Sequence, residues 1–281
     1  MDRKTIGLLS TVPVLLLTFF FFIIPIVGSF WNSLHYQGSF TFYYYEFLFN
    51  NAEFMAALML TVKIAVITTA VSAALAIIIS LAIRSTTIGK KFISFIYQLN
   101  ISIPALMVAL LMLIIFTDSG YIVRIGICLG LVDSTEYVRL LIPDDTGLGT
   151  IIAYSWKFVP FIGITVLSTL QTTSVEYEDQ SRTLGVGPLR TFLHVTMPTI
   201  VVPVCSTSLI VFAFCFGSYD IPSLLGTGSV LSTLAYNYYF NSLYTDAKTI
   251  AYAITSIISL IMVLCASTYL FLSIPKGERK V

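Results

Sequence analysis

Long apolar runs alternate with short polar ones along the 281 residues, and the spacing of that alternation predicts the fold before any single residue does. The runs extend over about 20 to 27 residues, the length a helix needs to cross a hydrocarbon layer of about 30 Å. They lack the short alternation of an outer-membrane barrel. The pattern predicts helices at approximately 6–31, 54–83, 92–117, 150–170, 199–218 and 246–273, with a polar connection over 171–198. The expected class is therefore all-α: one polytopic membrane domain covering 1–281, with six transmembrane helices.

Within the runs, the interruptions carry the information. The first follows Asp2-Arg3-Lys4 and contains Pro13 and Pro25. It is nearly twice as long as the apolar region of a secretory signal, so it reads as a retained span. Trp31, Tyr36, Phe40, Phe42, Tyr43, Tyr44 and Tyr45 follow as an expected interfacial belt. The second run bears small residues (Thr68, Thr69, Ser72, Ala73, Ala74, Ala76) suited to close helix packing, and Lys63 lies where its long side chain can snorkel. Asn100, Ser102 and Pro104 sit inside the third run. They either form a kink satisfied by a neighbouring helix or line a polar path.

The stretch 118–149 carries Asp118, Asp133, Glu136, Asp144 and Asp145 against Arg124 and Arg139 around a short apolar piece, 122–132. It reads as an outer loop with an interfacial or re-entrant helix. The fourth run contains Trp156, Lys157 and Pro160. A lysine that deep costs several kcal/mol unless it faces protein or water, so Lys157 either pairs with an outer-loop acid or lines a pore. After the fifth run, Ser218 to Gly226 mixes Pro222 and Gly226 with leucines. Irregular backbone at that depth requires surrounding protein or a cavity, which makes Asp220 and Pro222 candidates for a translocation path, with an ion pair or an interfacial cap as the alternative for Asp220.

Composition agrees with the pattern: 57% of residues are hydrophobic and 10% charged, against about 25% charged in soluble domains. This argues against a soluble enzyme. Cys128, Cys205, Cys215 and Cys265 have no metal-ligand spacing, and His35 and His194 are too few and too far apart for a metal site. No P-loop, ABC signature or dinucleotide motif is present, so the chain carries no engine of its own.

Charge sets the orientation. With both termini cytoplasmic, the inner segments hold Arg3, Lys4, Arg84, Lys90, Lys91, Arg182, Arg190, Lys276, Arg279 and Lys280, ten of the fifteen basic residues. The outer side holds Glu46, Glu53, Asp118, Asp133, Glu136, Asp144, Asp145, Asp220 and Asp246, nine of the fourteen acids. The positive-inside rule supports this arrangement. The connection 171–198 is then cytoplasmic, and a bundle with a structured inner loop and no engine reads as a subunit driven from outside.

That connection has an acidic helix-permissive run, a hinge at Gly185 and Gly187 with Pro188, a short basic segment, and Pro198 where apolar sequence resumes. Asp179-Gln180-Ser181-Arg182-Thr183-Leu184-Gly185, followed by Pro188, Phe192, Val195 and Pro198, resembles the EAA loop of binding-protein-dependent ABC importer permeases. In that family Glu-Ala-Ala is followed by glycine after three residues and by proline thirteen residues further on. Gly185 and Pro198 are thirteen apart. Asp179, Gln180 and Ser181 depart from the Glu-Ala-Ala residue types.

The resemblance implies a type I ABC importer permease fold of the MetI-like kind, in the inner membrane of a bacterial or archaeal cell. Two such permeases, identical or different, would pair on two cytoplasmic ATPase subunits and receive solute from an extracytoplasmic binding protein. ATP and magnesium would be bound by the ATPases, with no cofactor and no catalytic residue in this chain, and no nucleic-acid partner. The coupling residues carried over are Asp179, Gln180, Ser181, Arg182, Gly185, Pro188, Arg190 and Pro198. The path candidates are Asn100, Trp156, Lys157, Asp220 and Pro222.

Asp220 to Gly226 resembles the Pro-x-Leu-Leu-Gly stretch of the spermidine and putrescine branch, also found in relatives handling ferric iron, sulfate or phosphonates. The outer acid surplus favours a cationic solute by its field. An ion-coupled secondary transporter and a non-transport scaffold subunit are the rival classes.

Overall fold

The computed structural model describes residues 3–36, 38–86, 89–131, 142–172, 174–240 and 243–273. Asp133, Glu136, Lys276, Arg279 and Lys280, used in the charge argument, lie outside the described residues, as do Asp2 and Arg139.

The chain opens with α1 (Arg3–Thr18), a π turn (Phe19–Ile23) and α2 (Ile24–Ser33), then a small hairpin, β1 (His35–Tyr36) and β2 (Ser39–Phe40), and α3 (Tyr43–Asn50). The hairpin pairs His35 with Phe40 and Tyr36 with Ser39. Next come α4 (Ala52–Ser85), α5 (Lys90–Leu99), a 3-10 turn (Asn100–Ser102), α6 (Ala105–Phe116) and α7 (Tyr121–Cys128). The remainder is α8 (Leu148–Thr172), α9 (Ser174–Thr183), α10 (Pro188–Thr191), a π turn (Phe192–Thr196), α11 (Met197–Gly217), α12 (Asp220–Leu224), α13 (Leu231–Phe240) and α14 (Ala247–Ser273).

Among the described residues, five helical stretches are long and apolar enough to span a membrane: Thr11–Ser33, Ala52–Ser85, Leu148–Gln171, Pro188–Gly217 and Ala247–Leu272. A sixth, Lys90–Ser102 with Ala105–Phe116, is bent by 100° at its break. The sequence reading had one helix over 92–117. Pro104 explains the break, because it forces its predecessor out of helical geometry and Ile103 is extended, with φ −76° and ψ 121°.

The helix expected from 199 begins at Pro188 instead, continuing through the π turn into α11. Both π turns end two residues before a proline, Pro25 or Pro198. A helical proline offers no N–H to the carbonyl four residues back. Widening the preceding turn shifts the ladder, so that Ile24 N–H bonds Phe19 and Met197 N–H bonds Phe192, and the helix survives.

The core is built on α4. Its N-cap Asn51 accepts from Glu53 N–H at 2.8 Å and Phe54 N–H at 3.2 Å. Ala57, Thr61, Ala65, Thr68, Ser72, Ala76 and Ser80 recur three or four apart and are buried, forming a stripe of small side chains against which α8 and α11 pack. Of the small residues singled out in the sequence, Thr68, Ser72 and Ala76 lie on this stripe, whereas Ala74 faces outward. By contrast, Phe19–Phe22 in the first span are all exposed.

An outer layer closes one end. Asp144 is buried, accepts from Thr150 N–H at 2.8 Å at the start of α8, and accepts from the Thr227 hydroxyl at 3.4 Å. Its backbone pairs with Leu225 and Gly228. Leu231 N–H at the start of α13 reaches Thr61 on α4 at 2.9 Å. The short apolar piece at 122–132, where an interfacial or re-entrant helix was expected, overlaps α7, of eight residues, and its last residue lies outside the described ones.

Candidate functional site

The polar connection folds into a closed corner. At the end of α9, Gly185 N–H bonds Arg182 O at 2.9 Å and Val186 N–H bonds Ser181 O at 3.1 Å, with Gly185 at φ +74°. This pair of bonds around a left-handed glycine is a Schellman cap, which satisfies the last carbonyls of the helix and turns the chain sharply. Gly187 then serves as N-cap and Pro188 as the first residue of α10, where its missing N–H costs nothing.

Inside the corner, the buried Ser181 and Thr191 hydroxyls hydrogen-bond at 2.9 Å. Ser181, one of the departures from Glu-Ala-Ala, thus has a matching hydroxyl. Asp179, Gln180, Arg182, Gly185, Pro188, Arg190 and Pro198 are exposed, and so are Leu184 (82%) and Leu189 (71%). A groove of about 570 Å³ runs between α9 and α11, lined by Tyr177, Gln180, Leu184, His194 and Pro198 among others.

Sequence reasoning missed the acid that organises this corner. Glu178 is buried and accepts from Arg84 Nη1 at 2.8 Å and from the Thr196 hydroxyl at 2.6 Å. Burial raises its carboxyl, but the hydrogen bonds from Arg84 and Thr196 and the charges of Arg84 and Arg182 outweigh that and hold it below its ordinary value. The available signal was the i, i+3 pairing of Glu178 with Ser181, which puts both on the inward face of α9.

The path candidates divide. Pro160 in α8 has no N–H to offer the Trp156 carbonyl four residues back, and that carbonyl accepts from Asn100 Nδ2 instead. One turn along, Tyr97 OH donates to Val159 O at 2.9 Å, its ring occupying space that a side chain at Gly163 would fill. Lys157 Nζ donates to Ile101 O at 3.1 Å and to Ile103 O, capping the carbonyls freed where α5 gives way to α6. The bent span is thereby stitched to α8 from both sides.

Asn100 and Trp156 share a cavity of about 620 Å³ with Tyr97, Ser155 and an apolar wall including Val71, Leu75, Ile79, Ile96 and Val159. No ionised side chain lines it. Asn100 Oδ1 and the Ser155 hydroxyl are buried there with no hydrogen-bond partner among the described residues. Lys157, Asp220 and Pro222 do not line this cavity. Asp220 is exposed in the first turn of α12, and Pro222 is buried beneath it. Among the described residues, no cluster of His, Cys, Asp or Glu could hold a metal ion.

Residues 72–274 match the family described as "Binding-protein-dependent transport system inner membrane component". The chain belongs to this family. The permease is 30% identical over 214 residues to a spermidine/putrescine transport system permease protein homologue of Mycoplasma genitalium, covering 75% of this chain and 67% of that one. A second such homologue, from Mycoplasma pneumoniae, is 26% identical over 76% of this chain and 67% of its own. Among solved structures, a chain of a bacterial alginate ABC transporter in complex with an alginate pentasaccharide-bound periplasmic protein superposes with a TM-score of 0.77 at 18% identity, over 99% of this permease and 96% of that chain.

The fold is thus that of ABC importer permeases, multi-spanning and, among the described residues, helical apart from the β1–β2 hairpin. Its function is that of an importer permease working with a solute-binding partner.

Proposed function

We propose that the permease moves a polyamine, spermidine or putrescine in type, from an extracytoplasmic binding protein into a bacterial or archaeal cytoplasm. In this reading both termini are cytoplasmic, the bent pair counts as one of six spans, and the permease pairs with a second permease, either its own copy or a similar chain. Connection 171–198 is the coupling element seated on a cytoplasmic ATPase. It presents Asp179, Gln180, Arg182 and Arg190 with Leu184 and Leu189, on a corner held rigid by the Gly185 cap and the Ser181–Thr191 bond. Closure of the two ATPases around ATP and magnesium displaces two such corners, and the packed helices follow as units.

The observation that carries the solute assignment is the chemistry of the cavity at Asn100 and Trp156. Tyr97 OH and one N–H of Asn100 already donate to α8 carbonyls, so the lining keeps the Asn100 acceptor oxygen, the Ser155 hydroxyl and aromatic faces over an apolar wall, beside the second Asn100 N–H and the Trp156 indole N–H. Acceptors and aromatic faces suit an alkylammonium chain. An oxyanion such as sulfate is held by a cation or by several converging N–H donors; the lining has no cation, and the N–H donors left to it are the second one of Asn100 and the Trp156 indole. The two polyamine-permease homologues point the same way.

The test is ATP-dependent uptake of labelled spermidine by the permease reconstituted with its ATPase and binding protein. Uptake that persists after the ion gradient collapses is the expected result. Sulfate, phosphonate or iron uptake in its place refutes the solute, and gradient-driven uptake by the permease alone refutes the importer mechanism.

A further inference from the structure

A displaced corner moves the bundle only if it is tied to the spans, and α4, the centre of the core, ends at Ser85, far in sequence from the corner. The tie that bridges this gap is Arg84, which reaches from the last turn of α4 to Glu178 at 2.8 Å. The same carboxylate oxygen accepts from Thr196 at 2.6 Å, the last residue of the π turn leading into α11. We propose that the Glu178 carboxylate is a positioning joint that locks α9, α4 and α11 together, so that displacement of the corner becomes displacement of the two spans flanking α8.

The physical case has three legs. Arg84 and Glu178 are both largely shielded, with side chains 19% and 10% exposed, where a charge-assisted hydrogen bond is screened less than at a surface. A π turn is a point at which a helix yields, and Thr196 pins the end of this one to α9. Asp179, beside Glu178 in sequence, is exposed, so the two acids divide the work: one outward toward a partner, one inward toward the bundle. This rests on the coupling reading of 171–198, and the experiment separates the two.

The complete complex is purified with spin labels at Ser85→Cys and at Thr183→Cys, an exposed position of α9 outside the residues presented to the ATPase, the four native cysteines being replaced by alanine. The distance between the labels is followed with and without trapped nucleotide. Uptake of labelled spermidine per ATP hydrolysed is measured alongside.

In the otherwise wild-type protein the label distance is expected to be narrow and independent of nucleotide. Glu178→Gln and Arg84→Met each broaden it and lower uptake per ATP by about tenfold. The double variant is no worse than either single one, because the two groups act as a unit. Arg84→Lys, which restores a cation opposite the carboxylate, recovers most of the ratio. If a variant fails to insert, Thr196→Val carries the same test by removing only the third leg.

Labels that move independently in the wild type, or variants that insert, bind ATPase and keep both the narrow distance and the uptake ratio, overturn the joint alone. A wild-type permease that does not retain its ATPase overturns the coupling reading and the joint with it.

Discussion

Asn100 and Pro160 pose a linked pair of substitutions whose outcome follows from one carbonyl. Pro160 deprives Trp156 O of its helical partner, and Asn100 Nδ2 replaces that partner from the bent span. Replacing Asn100 with leucine, of similar volume, leaves the carbonyl without a donor. An unpaired buried polar group costs about 1–3 kcal/mol, whereas hydrogen bonds between membrane helices are worth about 0.6 kcal/mol on average and about 1.7 at most. Trp156 is 40% exposed, so the site is partly open and the lower half of that range applies. We expect Asn100→Leu to cost about 1 kcal/mol.

In a Pro160→Ala chain the alanine N–H returns to Trp156 O, and the same Asn100→Leu change should then cost less than about half as much. The double-mutant cycle, read by equilibrium unfolding of the purified permease in mixed micelles, isolates this coupling from the packing change that Pro160→Ala brings on its own. Effects that add within about 0.3–0.5 kcal/mol refute the reasoning, because they mean that Asn100 does not replace the missing helical bond.

The remaining predictions concern other positions. A Cβ at Gly163 would lie 2.0 Å from the Tyr97 hydroxyl and 2.8 Å from its ring; Gly163→Ala should destabilise by about 1–3 kcal/mol in the same unfolding assay, and Tyr97→Leu should recover most of the loss. Gly185 has open space around it but φ +74°, so Gly185→Asn should keep ATP-driven uptake, whereas Gly185→Val, at a cost of about 1–2 kcal/mol, should abolish it with membrane insertion intact. The Asp220 carboxylate makes no hydrogen bond among the described residues, so Asp220→Asn should reduce uptake more than protein level; equal losses on uptake assay and immunoblot refute a path role. The Glu178 carboxyl is held below its ordinary value of 4.5, so its stabilisation is complete above that value and is lost as pH falls through the lower folded value; the Ser85–Thr183 label distance should stay constant from about pH 8 down to about pH 6 and widen only in stronger acid.

Much of the architecture was legible because membrane helices announce themselves by length, and loops between them by charge. The corner at Gly185 was legible for a local reason: a glycine at a helix end and a proline beginning the next helix act within a few residues of themselves. Features set by distant partners were not. Glu178 and Arg84 are 94 residues apart, and nothing near either one marks the pairing. Lys157 could be read as costly at its depth, but its partners, the carbonyls of Ile101 and Ile103, become available only because Pro104 breaks the third run. The two π turns were invisible because the pattern of an apolar run passes straight over Pro25 and stops at Pro198, and in both places only the hydrogen-bond register shows the widened turn.

Several of the bonds that hold α8 and the turn before it in place share a property with an evolutionary consequence. Tyr97, Asn100 and Ser80 donate to the carbonyls of Val159, Trp156 and Gly163, and Lys63 and Lys157 likewise donate to main-chain oxygen. A bond from a side chain to a carbonyl dictates the residue type at one end only. Trp156, Val159, Ile101 and Ile103 can each be exchanged without removing the oxygen that the bond needs, so mutations there require no compensating partner. A bundle held in this way can drift one position at a time while the helices keep their places, a tolerance in line with a fold that superposes along nearly its whole length on a chain with 18% identity.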